Sequence, residues 1–134
     1  ISAEINGILF CNLYLPNGNP LGTEKFQYKI NWMKLLYKYI KKLKSLGKPI
    51  VIMGDFNCEW HEGDALMHLS RRLMLTPFEP LVETAATFPK TRKKLDWIIV
   101  SPELKIISRR VLMDDISDHR AVIATIVPTM EHGF

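Results

Sequence analysis

The stretch PIVIMGDFN, residues 49–57, decides the fold. Its apolar run up to Met53 is typical of a strand buried on both faces. Side chains at i and i+2 of an extended chain point the same way, so we expect Asp55 and Asn57 to face one point. Gly54 permits a close backbone approach there. A carboxylate and a carboxamide where a buried strand leaves the core predict a functional site, and the alternative is an Asx-turn at a strand end.

Two later segments carry further polar groups on apolar strands. Asp96 lies in the apolar run LDWIIVS, residues 95–101, and Asp118 and His119 lie in SDHRAV, residues 117–122. A buried carboxylate is costly without a partner, so His119 is the natural partner of Asp96, although a histidine at a strand start is often a surface residue. Phosphodiester hydrolysis needs an oriented water and stabilisation of the charged phosphoryl oxygens. The three segments together indicate a phosphoester-cleaving site.

Four motifs in order resemble the endonuclease/exonuclease/phosphatase superfamily, which includes exonuclease III-like and DNase I-like nucleases: NLYLPNG at 12–18, GDFN at 54–57, LDWIIVS and ISDHRAV. The resemblance covers about residues 5–127 and implies one half of a DNase I-like four-layer α/β sandwich. It implies Mg²⁺ or Mn²⁺ as the cofactor. It also implies site residues, namely catalytic Asp55, Asn57, Asp96 and His119, the metal ligand Asp118, and substrate contacts from Tyr14, Asn17 and Thr87.

The resemblance also exposes a deficit before the first motif. Family members carry an Asn on their first strand and a metal-binding Glu ahead of the segment that matches Ile8–Pro16, and Glu4 and Asn6 have the wrong context to replace them. We therefore expect residues 1–134 to be a single partial domain, the C-terminal half, with a flexible tail at 128–134. An N-terminal half or a second copy of the chain would cover the exposed sheet, and the fragment alone would be inactive.

Composition sets broad limits on the function. The 134 residues, 47% hydrophobic and 24% charged, suit one globular domain, and a net charge of +4 suits an anionic substrate as well as many ordinary basic proteins. The lysines between residues 25 and 48 are typical of a solvated helix face, whereas the run from Lys90 to Lys94 is either solvated or a phosphate-facing loop. With only Cys11 and Cys58 and no apolar run long enough to span a membrane, we expect a cytoplasmic protein.

The hydrophobic periodicity predicts an α/β fold, a mixed sheet with helices on its outer face. Strands are expected at 7–15, 49–54, 95–101, 105–113 and 119–127, with a short one near 86–88 in an otherwise irregular 75–94 segment. Helices are expected at 24–46, with Thr23 as the N-cap, and at 64–74.

The substrate predicted first is DNA, cleaved by an exonuclease III-like nuclease or an AP endonuclease. One alternative is a non-catalytic fragment that docks on a partner. A second is a phospholipid or inositol-phosphate phosphatase, which would need a lipid-facing loop that the sequence does not show.

Overall fold

The structure is a computed structural model that describes residues 1–59, 65–77, 86–114 and 116–129. Its strands are β1 (Ser2–Ile5), β2 (Ile8–Tyr14), β3 (Ile50–Asp55), β4 (Thr76–Pro77), β5 (Asp96–Val100), β6 (Leu104–Val111) and β7 (Val122–Pro128). Its helices are α1 (Glu24–Lys44) and α2 (Ala65–Leu73), with a short 3-10 helix at Pro89–Thr91.

A mixed five-stranded sheet in the order β1-β2-β3-β5-β4 forms the centre of the molecule. Strands β2 and β3 pair in parallel, as a crossover through α1 requires, and the other pairs are antiparallel. Strands β6 and β7 form a separate two-stranded sheet, called the hairpin below. The predicted mixed sheet with helices on one face is confirmed, and the hairpin is a further layer.

The pleat of β3 sends alternate side chains to opposite faces of the sheet. Ile50 and Ile52 pack in the larger core with α1 and α2, and we call this side the helix face. Val51 packs in the smaller cluster with residues of the hairpin, on what we call the hairpin face. Strand β5 alternates likewise, with Ile99 in the larger core and Val100 in the smaller one.

Helix α1 begins where its cap predicts. The Thr23 hydroxyl accepts a hydrogen bond from the backbone N–H of Phe26 at 3.4 Å, which satisfies one of the free donors of the first turn. Met33, Leu36 and Ile40 recur at helical spacing and bury one stripe against the sheet. The helix ends at Lys44, slightly earlier than predicted.

Several elements of the structure differ from the predictions. The strand near 86–88 is wrong, because Pro89 opens a 3-10 turn and only an isolated bridge joins Phe88 to Lys93. The last strand begins at Val122 rather than 119, because the Ser117 hydroxyl accepts from the His119 N–H and keeps that segment bent. Strands β1 and β4 were not predicted at all.

Some predictions fall where the structure gives no description. The predicted helix start at Asp64 and the tail residues 130–134 lie outside the described residues. Within the predicted tail, Pro128 ends β7 and the Thr129 N–H donates to the Glu103 carbonyl at 2.8 Å, so these two residues belong to the hairpin. Among the described helices, neither combines the length and the apolar character that crossing a membrane requires.

Candidate active site

The turn after β3 is anchored by Phe56, which lies between Asp55 and Asn57 in the sequence and has a fully buried side chain. The Phe56 N–H donates to the Leu95 carbonyl at 2.8 Å, and the Leu15 N–H donates to the Asp55 carbonyl at 2.8 Å. The chain before β5 and the end of β2 thus hold the turn from both sides. Packing of the Phe56 side chain therefore fixes the positions of the two polar side chains of the turn, Asp55 and Asn57.

Asn57 adopts a left-handed backbone conformation with φ of +48°, which asparagine tolerates better than most residues. Its backbone N–H donates to Asp55 Oδ1 at 2.8 Å, and its side-chain Nδ2 donates to the Leu15 carbonyl at 2.8 Å. The predicted alternative, an Asx-turn, is therefore present, and it orients the Asp55 carboxylate. One N–H of the Asn57 amide is committed to the backbone, and within the described residues its oxygen and second N–H are available.

The register of the sheet places Tyr14, Asp55 and Asp96 in one row across β2, β3 and β5. His119 completes the cluster from the loop before β7. Its Nδ1 lies 2.8 Å from Asp96 Oδ2, and its Nε2 lies 3.8 Å from Asp55 Oδ2. A carboxylate can only accept, so Asp96 holds the proton on Nδ1 and aims Nε2 at the space beside Asp55.

The electrostatics of the cluster follow from its two neighbouring carboxylates. Burial raises the pKa of Asp55, and the charge of Asp96 adds to the rise, although the Asn57 N–H, His119 and Lys29 oppose it. Burial opposes protonation of His119, yet the hydrogen bond to Asp96 and the surrounding carboxylates outweigh it and raise the histidine's pKa. The site therefore favours a positively charged imidazole beside a partly buried carboxylate.

Asp55, Asp96 and His119 present donor atoms that all lie within 4.8 Å of one another. Carboxylate oxygens are the ligands that hard divalent cations such as Mg²⁺ and Mn²⁺ prefer. Because the Nδ1 of His119 is already bound to Asp96, the two carboxylates are the better ligands. A cation there would also offset the like charges that raise the pKa of Asp55, so these residues fit such an ion.

Thr87 connects the parts of the cluster rather than facing outward. It is buried, and its hydroxyl oxygen accepts from the N–H groups of Leu95 at 2.9 Å and Asp96 at 3.2 Å. Its carbonyl accepts from the Arg120 N–H at 2.7 Å. Thr87 therefore ties the start of β5 to the histidine loop, and this placement favours a positioning role over the predicted substrate contact.

The remaining predicted residues lie around the cluster. Tyr14 is 64% exposed and is the cross-strand neighbour of Asp55, which suits a substrate contact. Asn17 is exposed, and its side-chain oxygen accepts from the Asn19 N–H at 3.1 Å. Asp118 is exposed, bonds to the Ser117 hydroxyl and raises the pKa of His119 by its charge. Asp118 does not join the Asp55, Asp96 and His119 cluster, and its role as a ligand stays a prediction.

Two residues of the site were not singled out as site residues from sequence. Lys29 of α1 donates from Nζ to the Asn57 carbonyl at 3.1 Å, and its aliphatic stem packs on Gly18, where a Cβ would lie 2.7 Å from Lys29 Cδ. The Phe88 ring lies 4.8 Å from the His119 ring, between centroids. Lys29 is one of many lysines on α1, so its spacing gave no signal, whereas Phe88 directly follows the predicted Thr87 in the order Thr87-Phe88-Pro89.

The chain matches known proteins along most of its length. The profile described as the Endonuclease/Exonuclease/phosphatase family matches residues 2–119. The exodeoxyribonuclease of Bacillus subtilis (strain 168) is 31% identical over 64 residues, which is 48% of this chain and 25% of that protein.

Solved structures share the fold. A 3′ phosphatase, NExo from Neisseria bound to product DNA hairpin, superposes with a TM-score of 0.73 at 23% identity. An AP endonuclease from Archaeoglobus fulgidus superposes with a TM-score of 0.65 at 21% identity. In both cases the match covers 92% of this chain and 63% of the other. The chain thus has the DNase I-like fold and spans only part of the length of its relatives.

Proposed function

Because the chain belongs to the endonuclease/exonuclease/phosphatase family, whose members are nucleases and phosphatases, we propose that it supplies the catalytic histidine half of a divalent-metal-dependent DNA phosphodiester hydrolase. The observation that carries the proposal is the Asp96–His119–Asp55 arrangement. Asp96 fixes the tautomer and direction of His119, and the 3.8 Å between Nε2 and Asp55 leaves room for a bound group beside both. The DNA-related relatives support DNA as the substrate class.

His119 acts on the phosphate in this proposal. Its raised pKa favours the protonated imidazole, whose Nε2–H can donate its proton to a phosphoryl oxygen. Asp96 keeps the charge in place by its 2.8 Å hydrogen bond, so no reorganisation is needed as the phosphate gains charge. Phe88 packs on the ring and limits its rotation.

Asp55 orients and deprotonates the attacking water. Its Oδ1 is held by the Asn57 N–H, which leaves Oδ2 on the side of His119. The free part of the Asn57 amide lies beside Asp55 and can hold the water. When Mg²⁺ or Mn²⁺ is bound by the carboxylates, it supplies charge neutralisation at the phosphoryl oxygens.

The length of the chain decides which protein the experiment must use. The chain spans 63% of the two structural relatives named above, and we propose that residues outside it, an N-terminal half above all, complete the metal site and cover the hairpin face. Asp118 remains our proposed further ligand. The sequence has only two cysteines, Cys11 and Cys58, too few for a disulfide framework, and we also propose a reducing, cytoplasmic location.

The experiment uses the full-length gene product that carries this sequence. Hydrolysis of single-stranded, abasic-site and 3′-phosphate DNA oligonucleotides is measured with Mg²⁺, with Mn²⁺ and in EDTA. We expect activity only with a divalent cation, and His119→Ala should lower kcat by about 100-fold or more, since general acid catalysis contributes about 10²–10⁴. His68→Ala, an exposed histidine on α2, is the matched control. Near-native turnover by His119→Ala, or full activity in EDTA, contradicts the proposal.

A further inference from the structure

A tight turn beside the candidate active site carries a run of positive charge. The Phe88 N–H donates to the Lys93 carbonyl at 2.9 Å, and the Lys93 N–H donates back to the Phe88 carbonyl at 3.3 Å. Between them the 3-10 helix ends at Arg92, whose N–H donates to the Pro89 carbonyl at 3.1 Å. These bonds close the turn on itself, so its side chains project from a defined backbone. We call Lys90, Arg92, Lys93 and Lys94 the basic turn.

The charges of the basic turn are not neutralised within the described part of the chain. Lys90, Arg92 and Lys93 are exposed and Lys94 is half-buried. Across residues 1–59, 65–77, 86–114 and 116–129, ion pairs with carboxylates involve Lys48 and His119 but no member of the basic turn. A patch of one sign without internal partners attracts ligands of the opposite sign.

The basic turn is also fixed to the candidate catalytic groups. Phe88 contacts the His119 ring, and Thr87 is bonded to Asp96 and Arg120 through the hydrogen bonds described above. Arg92 lies only four residues beyond Phe88, a reach of at most about 14 Å for extended chain. The charge of Arg92 therefore lies close enough to contact phosphates that neighbour a phosphate bound at His119.

We propose that the basic turn binds the backbone phosphates of a nucleic-acid strand next to the phosphate at His119. The inference rests on the proposed function and narrows its substrate to a polynucleotide, since a small phosphoester would not reach these side chains. A lipid surface fits less well, because the large exposed hydrophobic side chains of the described residues all lie outside 86–94. Membrane-surface segments combine basic and apolar side chains.

The test compares two charge-neutralised variants of the full-length gene product. Lys90→Gln with Arg92→Gln removes two charges from the basic turn, and glutamine adds no strain at Arg92, because both residues are equally unbranched at its left-handed φ of +56°. Lys41→Gln with Lys42→Gln removes the same charge from exposed positions in the last turn of α1. That turn lies about 18 Å along the helix from Lys29, given a rise of about 1.5 Å per residue.

Binding of a fluorescein-labelled single-stranded DNA is measured by anisotropy in EDTA, over a range of salt concentrations. The basic-turn variant should raise Kd by about 10-fold at about 0.1 M salt, and the slope of log Kd against log salt should fall by about 0.7 per lost phosphate contact. The control should change neither. Equal weakening by both variants, an unchanged slope, or a wild-type protein that does not bind DNA overturns the proposal.

Kinetics separate this proposal from the proposed function. With a divalent cation present, the basic-turn variant should raise KM for the oligonucleotide and leave hydrolysis of bis-p-nitrophenyl phosphate unchanged. If the variant loses activity equally on both substrates, the substitutions act by displacing His119, and the inference is overturned. Absence of hydrolysis by the wild type contradicts the proposed function, while the binding result in EDTA still decides the inference. Binding to vesicles of equal parts phosphatidylcholine and phosphatidylserine is measured for the same variants. If the basic-turn variant binds these vesicles more weakly but binds DNA as the wild type does, the basic turn is a membrane contact and the inference is overturned.

Discussion

The two faces of the five-stranded sheet differ in what they bury. On the helix face, Ile50, Ile52 and Ile99 pack with both helices in one core of buried side chains. On the hairpin face the buried cluster is small and covers only part of the sheet. The rest of that face is polar or half-exposed, and a groove of about 350 Å³ there is lined in part by Asn12, Met53, Asp96 and His119.

Within a single strand, the side chains on one face therefore stabilise the fold, while those on the other face form the candidate site. In β5 the odd positions hold the fold together, while Asp96 on the opposite face carries the histidine. A carboxylate on the helix face would lose its hydration without a partner, whereas on the hairpin face it keeps partial solvent access and a cationic neighbour. The apolar strand therefore fixes the direction of the polar group.

Gly54 belongs to neither face, and we expect its replacement to have the largest effect. A Cβ at Gly54 would lie 1.9 Å from the Leu13 carbonyl oxygen, which is backbone and cannot move aside, and the φ of +137° is strained for any other residue. Gly54→Ala should prevent folding or cost about 4 kcal/mol or more, at the upper end of single substitutions. Urea unfolding measures it.

Gly7→Ala provides the control for this prediction. Gly7 also has a positive φ, of +78°, but a Cβ there meets nothing within 4 Å. Its cost should be limited to backbone strain, about 1 kcal/mol. If the two substitutions destabilise the protein equally, close approach of β2 and β3 is not the reason for glycine at position 54.

Neighbouring isoleucines of β5 test the difference between the faces directly. Ile99 is buried on the helix face and Ile98 is half-buried on the hairpin face. In the 134-residue chain, Ile99→Ala should cost about 2–5 kcal/mol and Ile98→Ala about 1 kcal/mol, because the cavity cost depends on how completely the side chain is enclosed. Thermal or urea unfolding of both variants gives the difference.

The same pair measured in the full-length gene product sharpens the comparison. If further chain covers the hairpin face, Ile98→Ala should become as costly there as Ile99→Ala. Equal costs already in the 134-residue chain would show that its hairpin face is covered, for example by a second copy. That result would contradict the half-exposed face described above.

Sequence patterns were sufficient for the elements with strong local signals. The apolar run before Gly54 predicted β3, and the cap Thr23 with helical periodicity predicted α1. The family resemblance is confirmed by the match over residues 2–119. The expectation that His119 partners Asp96 agrees with their 2.8 Å separation, while the catalytic roles of both residues stay predictions.

The structural features that were not predicted depend on turns and long-range contacts. Strand β1 is exposed along its length and has no apolar run, yet Asn6 and Gly7 both have positive φ, the geometry of a two-residue hairpin turn that Asn-Gly favours. That signal is present in the sequence at the start of the strand predicted at 7–15, but it was not used to predict a hairpin. The Lys29 contact with Asn57 spans 28 positions and has no local pattern, so only the packing of α1 on the sheet could reveal it.

The smallest expected effect is a pH dependence of stability that arises on the hairpin face. The pKa of His119 is raised in the folded protein, so its stabilising contribution is complete below the ordinary imidazole value of about 6.5 and is lost as pH rises through the folded value. The pKa of Asp55 is also raised, which disfavours the folded state above the ordinary carboxyl value and acts in the same direction. Stability should therefore decline from about pH 6 to pH 8, by less than about 1 kcal/mol because His119 is partly solvated.

Unfolding by urea in EDTA, measured across this range for the wild type and for His119→Gln, isolates the histidine. The variant lacks the titrating group, so its free energy of unfolding should be flatter with pH, and the two curves should converge at the alkaline end. His68→Gln removes an exposed histidine from the helix-face side of the molecule and should leave the wild-type slope intact. A slope that disappears in His68→Gln but persists in His119→Gln would mean that the charged imidazole of the site does not stabilise the hairpin face through Asp96.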